Sequence, residues 1–451
     1  MSHIRITKGH NLKLSGSPKK EIVEVHPSSI FKLHPIEFSG IKPKLLIHEG
    51  DLVKIGTPIY FDKNHSQIKF TSPVAGKIHK IFFGNRRRIE TIEILTSDIQ
   101  ESINYDSFNL EDISSISADK IQNILYNSGF WPCIRRRPFS KIADPDHMPK
   151  SIFISAAPTA PFSPDYDFIF DHSSKGFQAG INILKQFTDC DIHLVINKNS
   201  KSSILKNTDN IILHTFEGPH PAGNVGVHIY HIDPIKNRDD TIWYISPQDV
   251  MSIGKLFLQG KPDFTKIITV AGNPFKERQY YKIIRGTLIS NILMDNVVDN
   301  NARLISGDVL SGVTVNTDKA LGFYHETLTA IYEGTRREFL GWITPGYKKY
   351  SITRAFLSTF ISKKEKQLTT NKHGSIRSMI PIGNIEKVMP INILTTLLLK
   401  AVLSKDVDTM ESLGIYECAP EDFSLCTFVD ASKMNLAHII QEGLDFIESE
   451  G

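Results

Sequence analysis

The sequence predicts a multidomain protein of mixed α/β and α+β class. Its 451 residues exceed the span of a single hydrophobic core. Short apolar segments between turn residues fill the first hundred positions, strands alternate with amphipathic helices in the middle, and helical stripes dominate the end. We therefore expect four units, at residues 1–100, 101–256, 257–330 and 331–451.

The composition excludes several classes of protein. Apolar residues make up 40% of the chain and charged residues 22%, as in ordinary globular proteins. The 52 basic and 49 acidic side chains give a net charge of +3, which argues against a nucleic-acid-binding protein. No segment predicts a membrane span or a signal peptide. The four cysteines lack metal-binding spacing. We expect a cytoplasmic protein without a disulfide framework or a metal site.

The first unit, residues 1–100, is predicted to consist of short β-strands. Glycine-containing turns in Glu49–Ile59 and Pro73–Ile78 resemble those of the barrel-sandwich hybrid, the fold of biotinyl and lipoyl carrier domains. Lys63 lies where a carrier lysine would be exposed on a hairpin. It is closer to Gly56 than in carriers, however, and its flanking residues differ from theirs. A structural barrel is therefore favoured, with a carrier role as an alternative.

The second unit, residues 101–256, alternates strands and helices. Lys175–Phe187 has an apolar face with helical spacing, and Pro247–Leu258 also predicts a helix. Ile192–Ile196 and Val227–Ile232 are apolar runs that predict strands. Unbroken apolar strands between helices are typical of a three-layer α/β domain with a mainly parallel sheet.

The last two units differ from the second unit in their pattern of apolar residues. A strand at Lys266–Val270 and a helix at Leu288–Asp295 predict a small α+β domain. The C-terminal unit is expected to be mainly helical, with Asn435 as the N-cap of the last helix. A further helical stripe is predicted from Ile391, Leu394, Leu397, Leu398 and Val402.

A glycine-rich loop, Gly218–Gly226, follows a predicted strand. Backbone N–H groups around Gly218, Gly223 and Gly226 could hold a phosphate. The loop does not match the dinucleotide fingerprint G-x-G-x-x-G, which occurs nowhere in the chain. We favour a structural or partner-contact loop, with nucleotide binding as the alternative.

Four histidines near this loop raise the question of a metal ion: His214, His220, His228 and His231. His228 and His231 are three residues apart on a predicted strand and would face opposite sides. No shared metal site is therefore predicted.

Three arginines lie between aromatic residues in Gly129–Lys141. Arginine beside aromatic rings can hold a planar, electron-poor ring or an anionic headgroup. Trp131, Arg135, Arg137 and Phe139 are therefore candidate binding residues. The same residues could form a surface for a partner protein, or they could be packed aromatics with solvated arginines.

These features together resemble one family over nearly the whole chain, the A subunit of the bacterial sodium-translocating NADH:quinone oxidoreductase. The resemblance rests on the order and spacing of nine segments: Glu49–Ile59, Phe70–Ile81, Trp131–Lys141, Gly218–Gly226, Trp243–Phe257, Ser306–Gly312, Leu340–Gly346, Met379–Pro390 and Glu421–Val429.

The resemblance implies a fold. It consists of an N-terminal barrel-sandwich hybrid, a Rossmann-like α/β middle domain, a soluble-ligand-binding (SLBB-type) β-grasp domain and a helical C-terminus.

It also implies a role. The chain would be a peripheral subunit on the cytoplasmic face of the bacterial inner membrane. It would have five partner subunits, some of them integral membrane proteins, in a complex that couples NADH oxidation and ubiquinone reduction to Na⁺ export. Flavins and iron–sulfur centres would lie in the partners, with no cofactor in this chain and ubiquinone as its possible ligand.

A quinone site needs aromatic walls and a few donors, and this residue chemistry makes Trp131, Arg135, Arg137 and Phe139 candidates for quinone binding or partner docking. No catalytic residue is expected in the isolated chain. Cys418 and Cys426 cannot supply four thiolates to an iron–sulfur cluster. Asp430 stands where relatives commonly have a cysteine. The alternative function is a free-standing flavin- or NAD-dependent oxidoreductase, similar to the NADH-binding subunit of respiratory complex I.

Overall fold

The computed structural model describes residues 2–26, 28–170, 174–294, 296–298, 301–335, 339–341, 343–347, 349–353, 355–361 and 365–450. Trp342, part of one family-like segment, lies outside these residues. Among the described helices, none has the length and apolar character needed to cross a membrane.

The described residues among the first hundred form nine strands: β1 (Ser2–Arg5), β2 (Lys19–Glu24), β3 (Ile30–Leu33), β4 (Pro43–Leu45), β5 (Leu52–Val53), β6 (Pro58–Asp62), β7 (Lys69–Thr71), β8 (Gly76–Phe83) and β9 (Ile89–Thr96). Seven of them build two antiparallel sheets, ordered β3-β9-β8-β5 and β4-β6-β7. The sheets share one core that includes Phe31, Ile59 and Ile92. Gly76 is required there, because a Cβ atom would lie 2.0 Å from the Leu95 carbonyl oxygen.

The second unit is a three-layer α/β domain. Its elements are α1 (Ala118–Ser128), β10 (Arg135–Arg137), β11 (Lys141–Ile142), β12 (Ser151–Ala156), α2 (Tyr166–Ile169), α3 (Ser174–Thr188), β13 (Asp191–Asn197), α4 (Ser203–Lys206), β14 (Ile212–Glu217), α5 (Val225–Ile232), β15 (Ile242–Ile245) and α6 (Pro247–Gln259). The sheet order is β1-β14-β13-β12-β15-β10-β11. Its central strands are parallel and carry apolar side chains on both faces, as predicted.

The elements of the third unit are β16 (Thr265–Ala271), β17 (Gln279–Ile284), α7 (Ile289–Leu293), β18 (Ala302–Ser306), β19 (Val313–Thr314) and β20 (Thr327–Tyr332). Its strands join β2 in a six-stranded sheet ordered β19-β18-β20-β16-β17-β2. Strands β1 and β2, from the predicted first unit, pair in parallel with β14 and β17. The N-terminal segment therefore joins the sheets of the second and third units.

The C-terminal elements are α8 (Ser358–Ile361), α9 (Thr395–Ser404), α10 (Val407–Ser412), α11 (Ser424–Val429) and α12 (Leu436–Glu450), with a 3₁₀ helix at Pro420–Phe423. The last four helices pack on the second unit in a common core. Asn435 caps α12, accepting the His438 N–H at 3.3 Å. Residues 333–394 contain only α8 among their described regular elements.

Two predictions about local structure are wrong. Val227–Ile232 lies in helix α5, because the segment Val225–Ile232 packs its apolar side chains on the sheet as a helix rather than joining it as a strand. The predicted stripe beginning at Ile391 is incomplete: Leu394 and Leu397 are exposed, whereas Leu398 and Val402 are buried. In both cases tertiary packing overrides the sequence pattern.

Candidate functional site

A cavity lies where the first three units meet. The free space inside it and the open solvent at its mouth together come to about 730 Å³. The walls come from the β-sandwich, the α/β domain and the loops of the third unit, including Tyr60, Gly129 and Leu321. We call this space the interdomain cavity.

Aromatic side chains form one wall of the interdomain cavity. The Phe38 ring lies 4.7 Å from Phe70 and 5.0 Å from Phe323, between ring centres. Tyr60 and Phe70 are stacked at 4.5 Å. These contacts link the first unit to the third through Phe323. The wall therefore offers a carbon-rich, apolar surface to the cavity.

A buried arginine, Arg285, also lines the interdomain cavity. Helix α6 is N-capped by Ser246, which accepts the Asp249 N–H at 3.2 Å. The cap holds Asp249 in the first turn, where its carboxylate pairs with Arg285. The Arg285 guanidinium lies 4.4 Å from the centre of the Phe323 ring, and its Nε–H has no hydrogen-bond partner among the described residues. The buried Arg285 Nε–H is thus an unsatisfied donor beside the Phe323 ring.

A second buried cation, Lys266, also lines the cavity. Its Nζ lies 3.6 Å from Glu326 and donates to the Phe323 carbonyl oxygen at 3.4 Å. Glu326 also accepts the Tyr166 hydroxyl at 2.6 Å. Burial lowers the pKa of Lys266, and Glu326 opposes this effect. The ammonium group is thus held at the cavity by a fixed network.

Three titratable groups at the cavity have strongly shifted pKa values. Loss of hydration raises the pKa of Glu37 to about 7, although the residue as a whole is exposed. The Glu37 carboxylate accepts the Phe323 N–H at 2.8 Å. Burial lowers the pKa values of His34 and His325 to about 4. At neutral pH both imidazoles are uncharged, and Glu37 exchanges a proton readily.

The structure places Trp131 and Arg135 inside the protein. Trp131 is fully buried and donates its indole N–H to the Ala143 carbonyl oxygen at 2.9 Å. The Arg135 guanidinium lies between the rings of Tyr244 and Tyr324, 4.4 and 4.2 Å from their centres. The stacking of Arg135 on aromatic rings agrees with the sequence pattern, but the rings belong to the chain itself.

Arg137 and Phe139 contact the C-terminal elements. Arg137 is 1% exposed and donates to Glu421 at 2.6 Å and to Asp422 at 3.5 Å. Phe139 is buried and meets Tyr416 edge to face. With Trp131 buried as well, this segment offers little surface to a partner or to a quinone. Its contacts instead join the α/β domain to the C-terminal elements.

The glycine-rich loop is filled by protein atoms. A Cβ atom at Gly218 would lie 2.4 Å from the Ile6 carbonyl oxygen, and one at Gly223 would lie 2.2 Å from that of Ala157. At Gly226 it would lie 2.3 Å from an Asp422 oxygen. The three glycines therefore permit close packing of the chain against itself.

Asp422 occupies the place where a bound anion would lie. Its carboxylate accepts the side-chain N–H of Asn224, the N-cap residue of α5, at 3.1 Å. A negative charge at a helix N-terminus is stabilised there. Burial raises the pKa of Asp422 to about 6, although Arg137 opposes the shift. We call Arg137, Asn224, Glu421 and Asp422 the sealed anion site.

The loop histidines make separate contacts. His228 Nε2 lies 2.9 Å from the Ala222 carbonyl oxygen, and His231 Nδ1 lies 2.8 Å from that of Val227. His228 and His231 lie on helix α5, so the argument from opposite faces of a strand does not apply to them. His214 contacts His193 at 3.0 Å, and His220 contacts Thr159 at 3.2 Å.

A group of possible metal ligands lies at another position. His65 is 3.9 Å from Asp144 and 3.6 Å from Asp146, across the junction of the first two units. These groups form ion pairs with one another when the histidine is protonated. Lys63 is exposed after β6, and all four cysteines are free, with Cys418 and Cys426 buried.

Sequence inspection missed the residues of the interdomain cavity. Glu37, Phe38, Lys266, Arg285 and Phe323 come from distant parts of the chain and form no local motif. The one local signal in the sequence is Gly286, a glycine that directly follows Arg285 and has a φ of 86°. The interdomain cavity exists only after three units have assembled.

Comparison with known families and proteins gives a consistent result. Residues 4–97 match the NqrA N-terminal barrel-sandwich hybrid domain, residues 116–262 the NqrA second alpha/beta domain and residues 267–317 the NQRA C-terminal domain. The predicted fold class is confirmed, including the helical C-terminus.

Full-length relatives include the A subunits of the Na(+)-translocating NADH-quinone reductases of Yersinia pseudotuberculosis, 35% identical, and Pasteurella multocida, 36% identical. Each comparison covers 99% of this chain and 100% of the relative. A solved NAD⁺-reducing [NiFe]-hydrogenase chain shares 12% identity over 53% of both chains, with a TM-score of 0.33. That likeness is too weak to support an argument. The full-length relatives show that this chain belongs to the family formed by the A subunit of the Na(+)-translocating NADH-quinone reductase.

Proposed function

We propose that this chain acts in the quinone-reducing half of the complex and binds a quinone ring in the interdomain cavity. The supporting observation is the pairing of an aromatic wall with buried donors. A quinone is flat and apolar and has two carbonyl acceptors. Phe38 and Phe323 match its ring, and the Arg285 Nε–H and the Lys266 ammonium group match its oxygens.

Quinone reduction to quinol consumes two electrons and two protons. In this proposal the electrons come from a redox centre in one of the partner proteins. Glu37 supplies or relays a proton, because its pKa of about 7 allows it to hold one near neutral pH. Arg285 and Lys266 stabilise negative charge that develops on the quinone oxygens. The isolated chain then binds quinone without reducing it.

The proposed setting is a peripheral position on the cytoplasmic face of the bacterial inner membrane. Five partner subunits complete the complex, including integral membrane proteins that carry Na⁺. The full-length similarity to the A subunits of Na(+)-translocating NADH-quinone reductases supports this setting. The four residues first considered for quinone binding, Trp131, Arg135, Arg137 and Phe139, do not line the interdomain cavity.

The test begins with a tagged chain recovered from native membranes in mild detergent. The eluate is assayed for Na⁺-stimulated NADH:ubiquinone reduction, and the isolated chain is tested for bound flavin by its visible spectrum. We expect integral membrane flavoproteins and activity in the eluate, and a colourless isolated chain. Recovery of a lone, yellow, NADH-oxidising chain would support the free-standing oxidoreductase instead.

A further inference from the structure

We propose that His65, Asp144 and Asp146 bind one divalent transition-metal ion of the Zn²⁺ type at the junction of the first two units. His65 lies in the connection between β6 and β7, and the two aspartates follow β11. Each residue can offer one ligand atom, and the three atoms all lie within 4.8 Å of one another. We call these three residues the junction cluster.

Two carboxylates converge on one imidazole ring in the junction cluster. Nε2 of His65 lies 3.9 Å from an Asp144 oxygen, and Nδ1 lies 3.6 Å from an Asp146 oxygen. A neutral imidazole has one donor nitrogen and one acceptor nitrogen, so one of the two contacts sets a lone pair against a carboxylate. A cation between these groups removes the mismatch.

The charges of the junction cluster favour a metal ion over a proton. Asp144 and Asp146 together carry two negative charges, whereas a second proton on His65 supplies one positive charge. Arg136 is a further cation near Asp144, but its guanidinium also pairs with Glu448 at 3.6 Å. A divalent ion balances both carboxylates and accepts the imidazole lone pair as well.

Local turns hold the ligands in place before a metal binds. The Asp146 N–H donates to the Asp144 carboxylate at 3.0 Å, and Nδ1 of His147 lies 3.1 Å from the other oxygen of that carboxylate. Across the junction, the Ile68 N–H donates to the His65 carbonyl oxygen at 3.0 Å. His147 is thus an outer contact that orients Asp144, as is common around protein-bound metals.

The spacing of the junction cluster suits a small transition-metal ion. Zn²⁺ binds histidine nitrogen and carboxylate oxygen at about 2.0–2.2 Å, which places tetrahedral ligands about 3.3–3.6 Å apart. The ligand atoms therefore have to close from 4.8 Å by about 1.5 Å at most. Asp146 can supply that movement, because its side chain is 70% exposed. The nitrogen ligand favours Zn²⁺ over Mg²⁺ and Ca²⁺, which prefer oxygen.

The experiment is isothermal titration calorimetry of Zn²⁺ into the full-length chain. The chain is purified without a polyhistidine tag and freed of metal with a chelator. We expect one tight site per chain and a rise in melting temperature, because the ion binds the folded chain and ties two of its units together. Mg²⁺ at the same concentration should give neither effect. Absence of a tight Zn²⁺ site, or equal binding of Mg²⁺, would overturn the proposal and leave the proposed quinone site untouched.

Three single variants locate the ion. His65→Ala and Asp146→Asn each remove one ligand. Each should weaken Zn²⁺ binding at least about 100-fold, because outer contacts alone are commonly worth about 10–100-fold. His147→Ala removes only the outer contact and should weaken binding about tenfold. Asp146→Asn keeps the size of an exposed side chain, so the fold should be unchanged, as circular dichroism verifies.

The matched control is His48→Ala in the first unit. Among the described residues His48 pairs with a single carboxylate, that of Asp51 at 3.8 Å. This variant should bind Zn²⁺ as tightly as the unaltered chain. If His65→Ala and Asp146→Asn bind Zn²⁺ as tightly as the control, the three residues form an ion-pair cluster only, and the proposal fails.

Discussion

The glycine-rich loop and the interdomain cavity differ in opposite ways from what their sequences suggest. The loop has the glycines of a ligand-binding site, yet Asp422 occupies the position of the ligand. The cavity has no motif, yet it retains open space and an unpaired donor on Arg285. Glycines therefore mark positions where other atoms approach the backbone closely, whether those atoms belong to a ligand or to the protein itself. A site between domains has no such local mark, because it forms only when the domains assemble.

The largest expected effect comes from opening the sealed anion site. Asp422→Ala leaves the 1% exposed Arg137 with Glu421 as its remaining carboxylate partner. Removing one partner of a buried pair costs about 3–5 kcal/mol, so we expect a loss of this order in the free energy of unfolding. Urea denaturation measures it.

The control is Arg5→Ala, which removes an ion pair with Glu217 from a side chain that is 75% exposed. Its cost should be below about 1 kcal/mol. If Asp422→Ala lowers the free energy of unfolding no more than this control, the sealed anion site does not hold the α/β domain and the C-terminal elements together. The contrast between this site and the interdomain cavity would then fail.

The second-largest expected effect is stabilisation by a ligand, which should distinguish the interdomain cavity from the sealed anion site. A short-chain ubiquinone at about 100 times its dissociation constant should stabilise the chain by about 2.7 kcal/mol. NADH and FMN should leave the melting temperature unchanged, because the sealed anion site is filled. Thermal denaturation of one preparation with each ligand makes the measurement. A shift with NADH alone would reverse the roles assigned to the two sites.

Removing part of the aromatic wall should have a moderate effect. Phe323→Ala deletes a ring that contacts both Phe38 and Arg285. We expect ubiquinone affinity to fall about tenfold, equivalent to about 1.4 kcal/mol, in isothermal titration calorimetry. Phe108→Ala is the matched control, since Phe108 is also partly buried but does not line the cavity. Equal affinities for the two variants would place the ligand elsewhere.

The smallest effect concerns protonation of Glu37. Its pKa is about 7 in the folded chain, above the ordinary value of 4.5. Its contribution to stability is therefore complete below pH 4.5 and is lost as the pH rises to about 7. Ubiquinone affinity should also fall as the pH rises through 7, because the ionised carboxylate of Glu37 cannot donate a hydrogen bond to a quinone oxygen.

Glu37→Gln removes the titrating group and should flatten both pH profiles. Stability is measured by urea denaturation at several pH values, and affinity by calorimetry over the same range. A pH profile of affinity that is identical in Glu37→Gln and the unaltered chain would exclude Glu37 as the proton donor.

Much of the fold could be predicted from local pattern. The apolar run of β13 and the capped helices α6 and α12 carry their signals in adjacent residues. Helix α5 could not be predicted in this way, because its short segment fits a strand equally well. Only its packing on the sheet determines that it is a helix. The pairing of β1 with β14 joins residues more than two hundred positions apart and leaves no local sign.

The residues of the candidate site were less predictable. Arginines between aromatic residues predicted stacking, and Arg135 does stack, but on Tyr244 and Tyr324 of its own chain. A local pattern cannot distinguish an internal partner from a ligand. The interdomain cavity was missed since Glu37 and Phe323, which share a hydrogen bond there, are 286 residues apart.

Hydrogen–deuterium exchange with and without a short-chain ubiquinone tests the central claim most directly. The account predicts slower exchange at residues 33–38 and 320–325, on the two sides of the interdomain cavity, and no change at 218–226. The same pattern should be seen in the isolated chain and in the purified complex. Protection of the glycine-rich loop or of residues 131–139, with none at the cavity, would contradict it.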